Sequence, residues 1–246
     1  MGIYTFTVKK LIKERITMEI TSFLRLFSRV ITLFLVLPIH EAAHGLVAKW
    51  CGDDTAEREG RITLNPFAHL DPLGSILIVL SGFGWAKPVP VNPLRMKKYR
   101  AGFALTALAG PLSNFIAAFI SILVWALLLC TESGMTAYLS GEITPMYSVL
   151  LLLQFLFSVN VGLALFNLIP FPPLDGFNVL RYFTNEKFDR WFYMHQQQLQ
   201  WGFLIVILVL NYIPSQYNIL AIANNFISDK MLNLVWQIPM HKWGAG

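Results

Sequence analysis

The fold is decided by residues 30–50, VITLFLVLPIHEAAHGLVAKW, an apolar segment long enough to cross a membrane that contains the pattern H-E-x-x-H. On a helix, residues four apart lie on the same face, so His40 and His44 can direct their imidazole rings at one metal ion. Such a pair suits Zn²⁺, and Glu41 lies where it can accept a proton from a water activated by the metal. Ionisable side chains are costly in such a segment, which indicates a functional site.

The composition indicates an integral membrane protein. Of the 246 residues, 55% are hydrophobic and 13% are charged, whereas a soluble domain has about 25% charged residues. The motif has an alternative explanation, in which a core helix of a soluble protein contains two histidines that are hydrogen-bonded within the fold. The composition argues against it. The net charge of +5 comes from basic residues beside apolar segments, which indicates topology and lipid contact and gives no sign of nucleic-acid binding. The two cysteines indicate no disulfide framework.

Three spans are predicted, at about residues 30–50, 103–130 and 147–169. Residues 73–85 are too short for a full crossing, which favours a re-entrant segment. Residues 84–93, GWAKPVPVNP, contain three prolines and are predicted to be extended or a loop. The predicted fold is therefore an all-α polytopic membrane protein, a helical bundle with a re-entrant or extended β-like segment near the site.

The chain divides into three predicted regions. Residues 1–29 form a basic amphipathic lead-in without the features of a cleavable signal peptide. Residues 30–215 form the membrane core, and residues 216–246 form a tail with room for one interfacial helix. The division predicts a single membrane domain with two short flanking segments.

Charge predicts the topology of the spans. The basic segment 95–100 is expected in the cytoplasm, and the loop 131–146, which has no Lys or Arg, outside. The third span then runs inward and leaves Asp175 near the cytoplasmic face, where His40 and His44 also lie if the N-terminus is outside. In the alternative, residues 73–85 cross, the basic N-terminus is inside, and the histidines lie far from Asp175.

Asp175 is the predicted third metal ligand. Catalytic zinc sites use three protein ligands and leave one position open. Asp175 follows a helix end that Pro170, Pro172 and Pro173 interrupt, which permits irregular, hydrated backbone at membrane depth. The alternative for an isolated Asp-Gly is an interfacial turn or a helix cap. The membrane-embedded H-E-x-x-H favours the ligand.

These motifs resemble those of the site-2 protease family of intramembrane zinc metalloproteases, in its compact prokaryotic branch. The resemblance covers about residues 30–215 and is carried by separated motifs in order, at residues 40–45, 61–66, 69–74, 84–93, 110–114 and 167–176. It implies zinc within the bilayer near the cytoplasmic side, with His40, His44 and Asp175 as ligands and Glu41 as catalytic base. We see no room for a PDZ domain or a CBS pair.

The resemblance also implies a functional position for Asn114, which matches an asparagine near the active site of the family. Its amide can hydrogen-bond a substrate carbonyl, or it can form an interhelical bond. The implied setting is a prokaryotic plasma membrane with a transmembrane protein as substrate, and the oligomeric state is open. His69 is predicted to stabilise its own turn, with a ligand or proton shuttle as the alternative.

The functional hypothesis is hydrolysis of peptide bonds within or next to transmembrane segments. Residues 84–93 can pair with an unwound substrate by β-addition or form a plain proline-rich loop. One alternative function is a membrane-bound metalloprotease for soluble or unfolded chains. Another is a non-catalytic scaffold or transporter with a structural metal, which Glu41 argues against because a structural site needs no base.

Overall fold

The protein is built from helices. The structure, a computed structural model, describes residues 2–81, 84–210 and 217–244, and it is 78% helical with no strand in those ranges. This confirms the predicted all-α class. The helices are α1 (Gly2–Ile31), α2 (Leu37–Cys51), α3 (Thr55–Arg58), α4 (Pro72–Ser81), α5 (Tyr99–Leu129), α6 (Glu132–Ser140), α7 (Pro145–Asn167), α8 (Asp175–Leu180), α9 (Glu186–Leu210) and α10 (Ile219–Lys242).

Within the described ranges, three helical segments are long and apolar enough to cross a membrane. They are Thr17–Cys51, Tyr99–Leu129 and Pro145–Asn167, in agreement with the three predicted spans. The first is one continuous helix in which a π-helical stretch, Thr32–Val36, joins α1 to α2. Such π stretches are frequent at functional sites, and this one ends four residues before His40.

The core of the bundle is the contact between α5 and α7. Small side chains at Ala118, Ala126 and Ala164 are fully buried there, which lets the helix backbones approach closely. Trp125 and Ile122 belong to the same buried cluster. A rigid α5–α7 pair therefore supports the two elements that complete the metal centre, α2 and α8.

The two ends of the segment around α4 are paired with each other. Leu70, before the helix, and Ala86, after it, form an antiparallel bridge, and the Lys87 N–H donates to the His69 carbonyl at 2.7 Å. The chain therefore leaves and returns at the same end of the bundle. With ten residues, α4 is about 15 Å long, half the thickness of a bilayer core. This is the geometry expected of the predicted re-entrant segment.

The extended segment 84–93 is anchored to the loops that surround it. The Arg61 guanidinium donates to the carbonyls of Lys87 and Pro88 at 2.8 and 3.2 Å. The carboxylate of Asp53, which is fully buried, accepts the Asn92 N–H at 2.6 Å. These bonds explain why a proline-rich segment with one β-bridge and no full strand keeps a fixed position.

The predicted C-terminal helix is α10. It packs on the α5–α7 pair through Val235 and Met231, and the Trp243 indole N–H donates to the Leu129 carbonyl at 2.9 Å. The predicted boundary between core and tail, at residue 215, lies outside the described residues. The boundary between the lead-in and the core, at residue 29, falls inside the continuous helix of α1.

Candidate metal centre

α2 places the two histidines as the motif predicts. The Nε2 atoms of His40 and His44 are 3.1 Å apart, and both side chains are buried. Nδ1 of His44 lies 2.7 Å from the Thr106 carbonyl oxygen. Because a carbonyl only accepts, Nδ1 carries a proton, and Nε2 is therefore the nitrogen that can bind a metal after the metal displaces its own proton.

Asp175 completes the set from the first residue of α8. Its Oδ2 atom is 3.4 Å from Nε2 of His40 and 3.4 Å from Nε2 of His44. Ligand atoms that lie 2.0–2.2 Å from a tetrahedral zinc ion are about 3.3–3.5 Å apart. Both separations from Asp175 lie in this range, and the 3.1 Å between the two histidine nitrogens is about 0.2 Å shorter than it, so a small adjustment gives one tetrahedral zinc site with an open fourth position.

The surroundings of Asp175 keep its carboxylate ionised and in place. Burial opposes ionisation, but the interactions with His40 and His44 outweigh it and lower the pKa of Asp175 to about 2. A Cβ at Gly176 would overlap the Leu168 carbonyl, so only glycine lets α8 pack this closely against the end of α7. A metal ligand must be deprotonated, and the lowered pKa of Asp175 favours that form.

Gly110 on α5 lies directly against the candidate metal position. A Cβ at this residue would overlap the Nε2 atoms of both His40 and His44. The glycine therefore leaves open the space next to the lone pairs that a metal needs. Sequence analysis noted the Gly110–Asn114 motif without assigning this position a function, because the contact depends on how closely α5 approaches α2.

Glu41 is held by a backbone donor from the extended segment. Its Oε2 atom accepts the Val89 N–H at 3.0 Å, and Val89 stands between Pro88 and Pro90. The side chain of Val89 packs near Gly45 of α2, where an added Cβ would lie 3.4 Å from Val89 Cγ1. The extended segment therefore lies directly against the face of α2 that carries the glutamate.

Asn114 lies one turn after Gly110 on α5. Its side chain is 1% exposed, and neither amide atom hydrogen-bonds to any group in the described part of the chain. Buried amides are nearly always paired in native proteins. This unpaired amide, on the helix face that carries Gly110, is available to a ligand of the metal centre.

His69 is separate from this group. It is fully buried, its Nε2 lies 2.9 Å from the Thr63 carbonyl oxygen, and its own carbonyl accepts the Lys87 N–H. These contacts stabilise the turn before α4, as predicted. The candidate metal group among the described residues consists of His40, His44 and Asp175 and does not include His69.

The fold and the site together define a class, a polytopic membrane protein with a zinc-type centre that combines an H-E-x-x-H helix with a distant aspartate. Residues 28–210 match the model of peptidase family M50. The chain belongs to this family, which is the site-2 protease family of zinc metalloproteases that its motifs predict. Zinc is accordingly the metal that both the donor set and the family indicate.

Two curated relatives are similar to the chain, and both have names that describe a zinc metalloprotease. YwhC of Bacillus subtilis is 46% identical over 151 residues, which are 61% of this chain and 66% of YwhC. Rip2 of Mycolicibacterium smegmatis is 31% identical over 201 residues, which are 79% of this chain and 71% of Rip2. The chain thus spans about two thirds of each relative. No solved structure matches the chain.

Proposed function

We propose that the protein is an intramembrane zinc metalloprotease that hydrolyses peptide bonds within or next to transmembrane segments of its substrates. The observation that carries this proposal is the set of three ligand atoms at zinc spacing, two of them within a membrane-length helix. Glu41 stands next to the first ligand in sequence, as the general base of an H-E-x-x-H metalloprotease does.

Each residue has a distinct task in this proposal. His40, His44 and Asp175 would hold zinc, which when bound polarises the scissile carbonyl and acidifies the attacking water. Glu41 accepts the proton of that water and delivers it to the leaving amine. The Asn114 amide donates to the substrate carbonyl, where negative charge develops.

Residues 84–93 are the proposed site for an unwound substrate. A peptide bond in a helix is shielded by its own turn, so a substrate must become extended before it is cleaved. The Val89 N–H already contacts Glu41, which puts this extended segment next to the base. We propose that substrate backbone pairs along the segment by β-addition.

The proposed orientation places the site towards the cytoplasm of a prokaryotic plasma membrane. Asp175 lies at the side of the bundle that contains the end of α2, the beginning of α5 and the end of α7. The basic residues 95–100 are at the same side. Lys and Arg concentrate in cytoplasmic loops. The N-terminus is then outside, and cysteine labelling at Glu19→Cys with an impermeant reagent in intact cells would test this.

The function is tested with Glu41→Gln and a panel of substrates in purified, reconstituted protein. We expect Glu41→Gln to keep one zinc per chain and to lose cleavage, because the amide cannot accept the proton. We also expect wild type to cleave model substrates with a transmembrane segment and to spare soluble ones. Cleavage by Glu41→Gln at the wild-type rate contradicts the proposed base, and preference for soluble chains contradicts the proposed substrate class.

A further inference from the structure

One face of α10 is polar where lipid is expected. The exposed residues recur at the spacing of a single helix face, and they are Ile222, Asn225, Phe226, Asp229, Lys230, Asn233, Leu234 and Gln237. The opposite face, including Val235, packs on the α5–α7 pair. Residues three and four apart share a face of a helix, so the exposed set forms one continuous surface, which we call the α10 outer face.

The middle of this face lies beside the middle of α7, although α10 itself is not among the three helices of the described ranges that are apolar enough to cross a membrane. Asn224 Oδ1 comes within 3.9 Å of a Cβ built at Gly162, near the inner end of α7. At the other end, Trp243 bonds to the last residue of α5. α10 therefore runs along the spans, and at 1.5 Å per residue Asp229 lies about 15 Å from the end of α7, which is about 34 Å long.

Two charges at this depth need a partner. Asp229 is exposed, and no residue in the described ranges forms an ion pair with it, while Lys230 lies over the ring of Phe226 at 5.6 Å. Residues adjacent in sequence do not face each other on a helix, so Asp229 and Lys230 do not neutralise one another. Charged side chains in spans almost always face protein or pair with one another.

We infer that the α10 outer face is the contact between two copies of this chain. Copies inserted in one membrane share an orientation, so a two-fold axis along the membrane normal relates them and brings like depths together. Asp229 of each copy then lies about 1.5 Å in height from Lys230 of the other, and two symmetric ion pairs form. An apolar partner helix would leave both charges unpaired, whereas a second copy supplies the complement of each.

The rest of the face suits such a contact. Asn225, Asn233 and Gln237 can form the interhelical amide hydrogen bonds that hold helices together in lipid. Ile222 and Leu234, which are 50% and 65% exposed, supply the packing between them. This mixture of amides, paired charges and aliphatic side chains is typical of a helix–helix interface and unfavourable as a lipid contact.

The test is a charge exchange in full-length protein carrying two different affinity tags, co-expressed and purified in mild detergent. We expect wild type to recover its differently tagged copy. Asp229→Lys paired with itself, and Lys230→Asp paired with itself, should recover at least tenfold less. Asp229→Lys paired with Lys230→Asp should recover at the wild-type level, because each lysine then meets an aspartate. Glu57→Lys, a charge reversal outside the spans, is the control and should leave recovery unchanged.

A second measurement distinguishes loss of the contact between copies from misfolding of the charge variants. In a background with both native cysteines changed to alanine, Leu234→Cys should form an intermolecular disulfide, and Ile120→Cys, which is 54% exposed on α5, should not. Failure of wild type to recover its copy, or equal recovery for every charge combination, would overturn the inference. If the wild-type protein is monomeric and the Asp229→Lys variant cleaves a transmembrane substrate more slowly, the α10 outer face is instead a contact for substrate. Neither readout depends on zinc or proteolysis, so the inference and the proposed function fail separately.

Discussion

Gly110→Ala should remove the metal while leaving the helix intact. The added Cβ would lie 2.5 Å from Nε2 of His40 and closer still to Nε2 of His44, whereas ordinary contacts begin at 3.4 Å. The His40 ring must therefore retreat by about 0.9 Å, and metal–ligand distances tolerate only about 0.2 Å. Changes around metal ligands typically lower affinity 10–100-fold. Because this change displaces two ligands, we expect at least about 100-fold, near 2.8 kcal/mol.

The assay is zinc titration against a competing chelator, with Gly102→Ala as the matched control. Gly102 is in the same helix, and a Cβ there would meet Met96 Sδ at 2.9 Å, the end of a flexible side chain. Both variants gain about 1 kcal/mol of helix propensity, so a general effect on α5 appears in both. We expect Gly102→Ala to bind zinc as wild type does. Wild-type zinc affinity in Gly110→Ala would refute the geometric argument.

Three further predictions concern the other site residues. Asp175→Ala should lower the zinc content from one per chain towards none, because the third ligand is lost. Unchanged zinc content by elemental analysis would show that Asp175 does not share a metal site with the two histidines. Asn114→Ala should retain zinc and lower kcat about 100-fold with little change in KM, the usual effect of losing one oxyanion donor; a rise in KM alone would indicate a binding contact instead. Val89→Pro removes the N–H that holds Glu41 and should lower kcat at least tenfold with zinc retained, whereas Val89→Ala keeps the donor and should stay within about threefold in steady-state assays.

The helix pattern and the donor set could be predicted from the sequence because both are local. H-E-x-x-H puts two candidate ligands on one turn of a helix, and a membrane-embedded motif of this kind favours a ligand over a turn or a cap for the acidic residue after the proline-broken helix end. The re-entrant prediction is local too, because it rests on residues 73–85 being too short to span, and the pairing of Leu70 with Ala86 agrees with it.

Gly110 and Val89 could not be assigned from the sequence because their contacts depend on packing. A glycine in an apolar helix has many possible causes, and the approach of α5 to the histidines is set by side chains far along the α5–α7 contact. Val89 acts through its backbone N–H, which every residue except proline carries. The sequence therefore contains no signal that distinguishes it from its neighbours.

One of the three candidate metal ligands, Asp175, is distant in the chain from the other two, and this has a consequence for biosynthesis. His44 and Asp175 are separated by 131 residues, which include two of the three predicted spans. A nascent chain emerging from the ribosome therefore cannot assemble the centre until α7 has been inserted and α8 has followed it. Incomplete products of translation lack the third ligand, so truncated chains released into the membrane carry no competent protease. If the proposed function is correct, the order of synthesis delays proteolysis until the chain is almost complete.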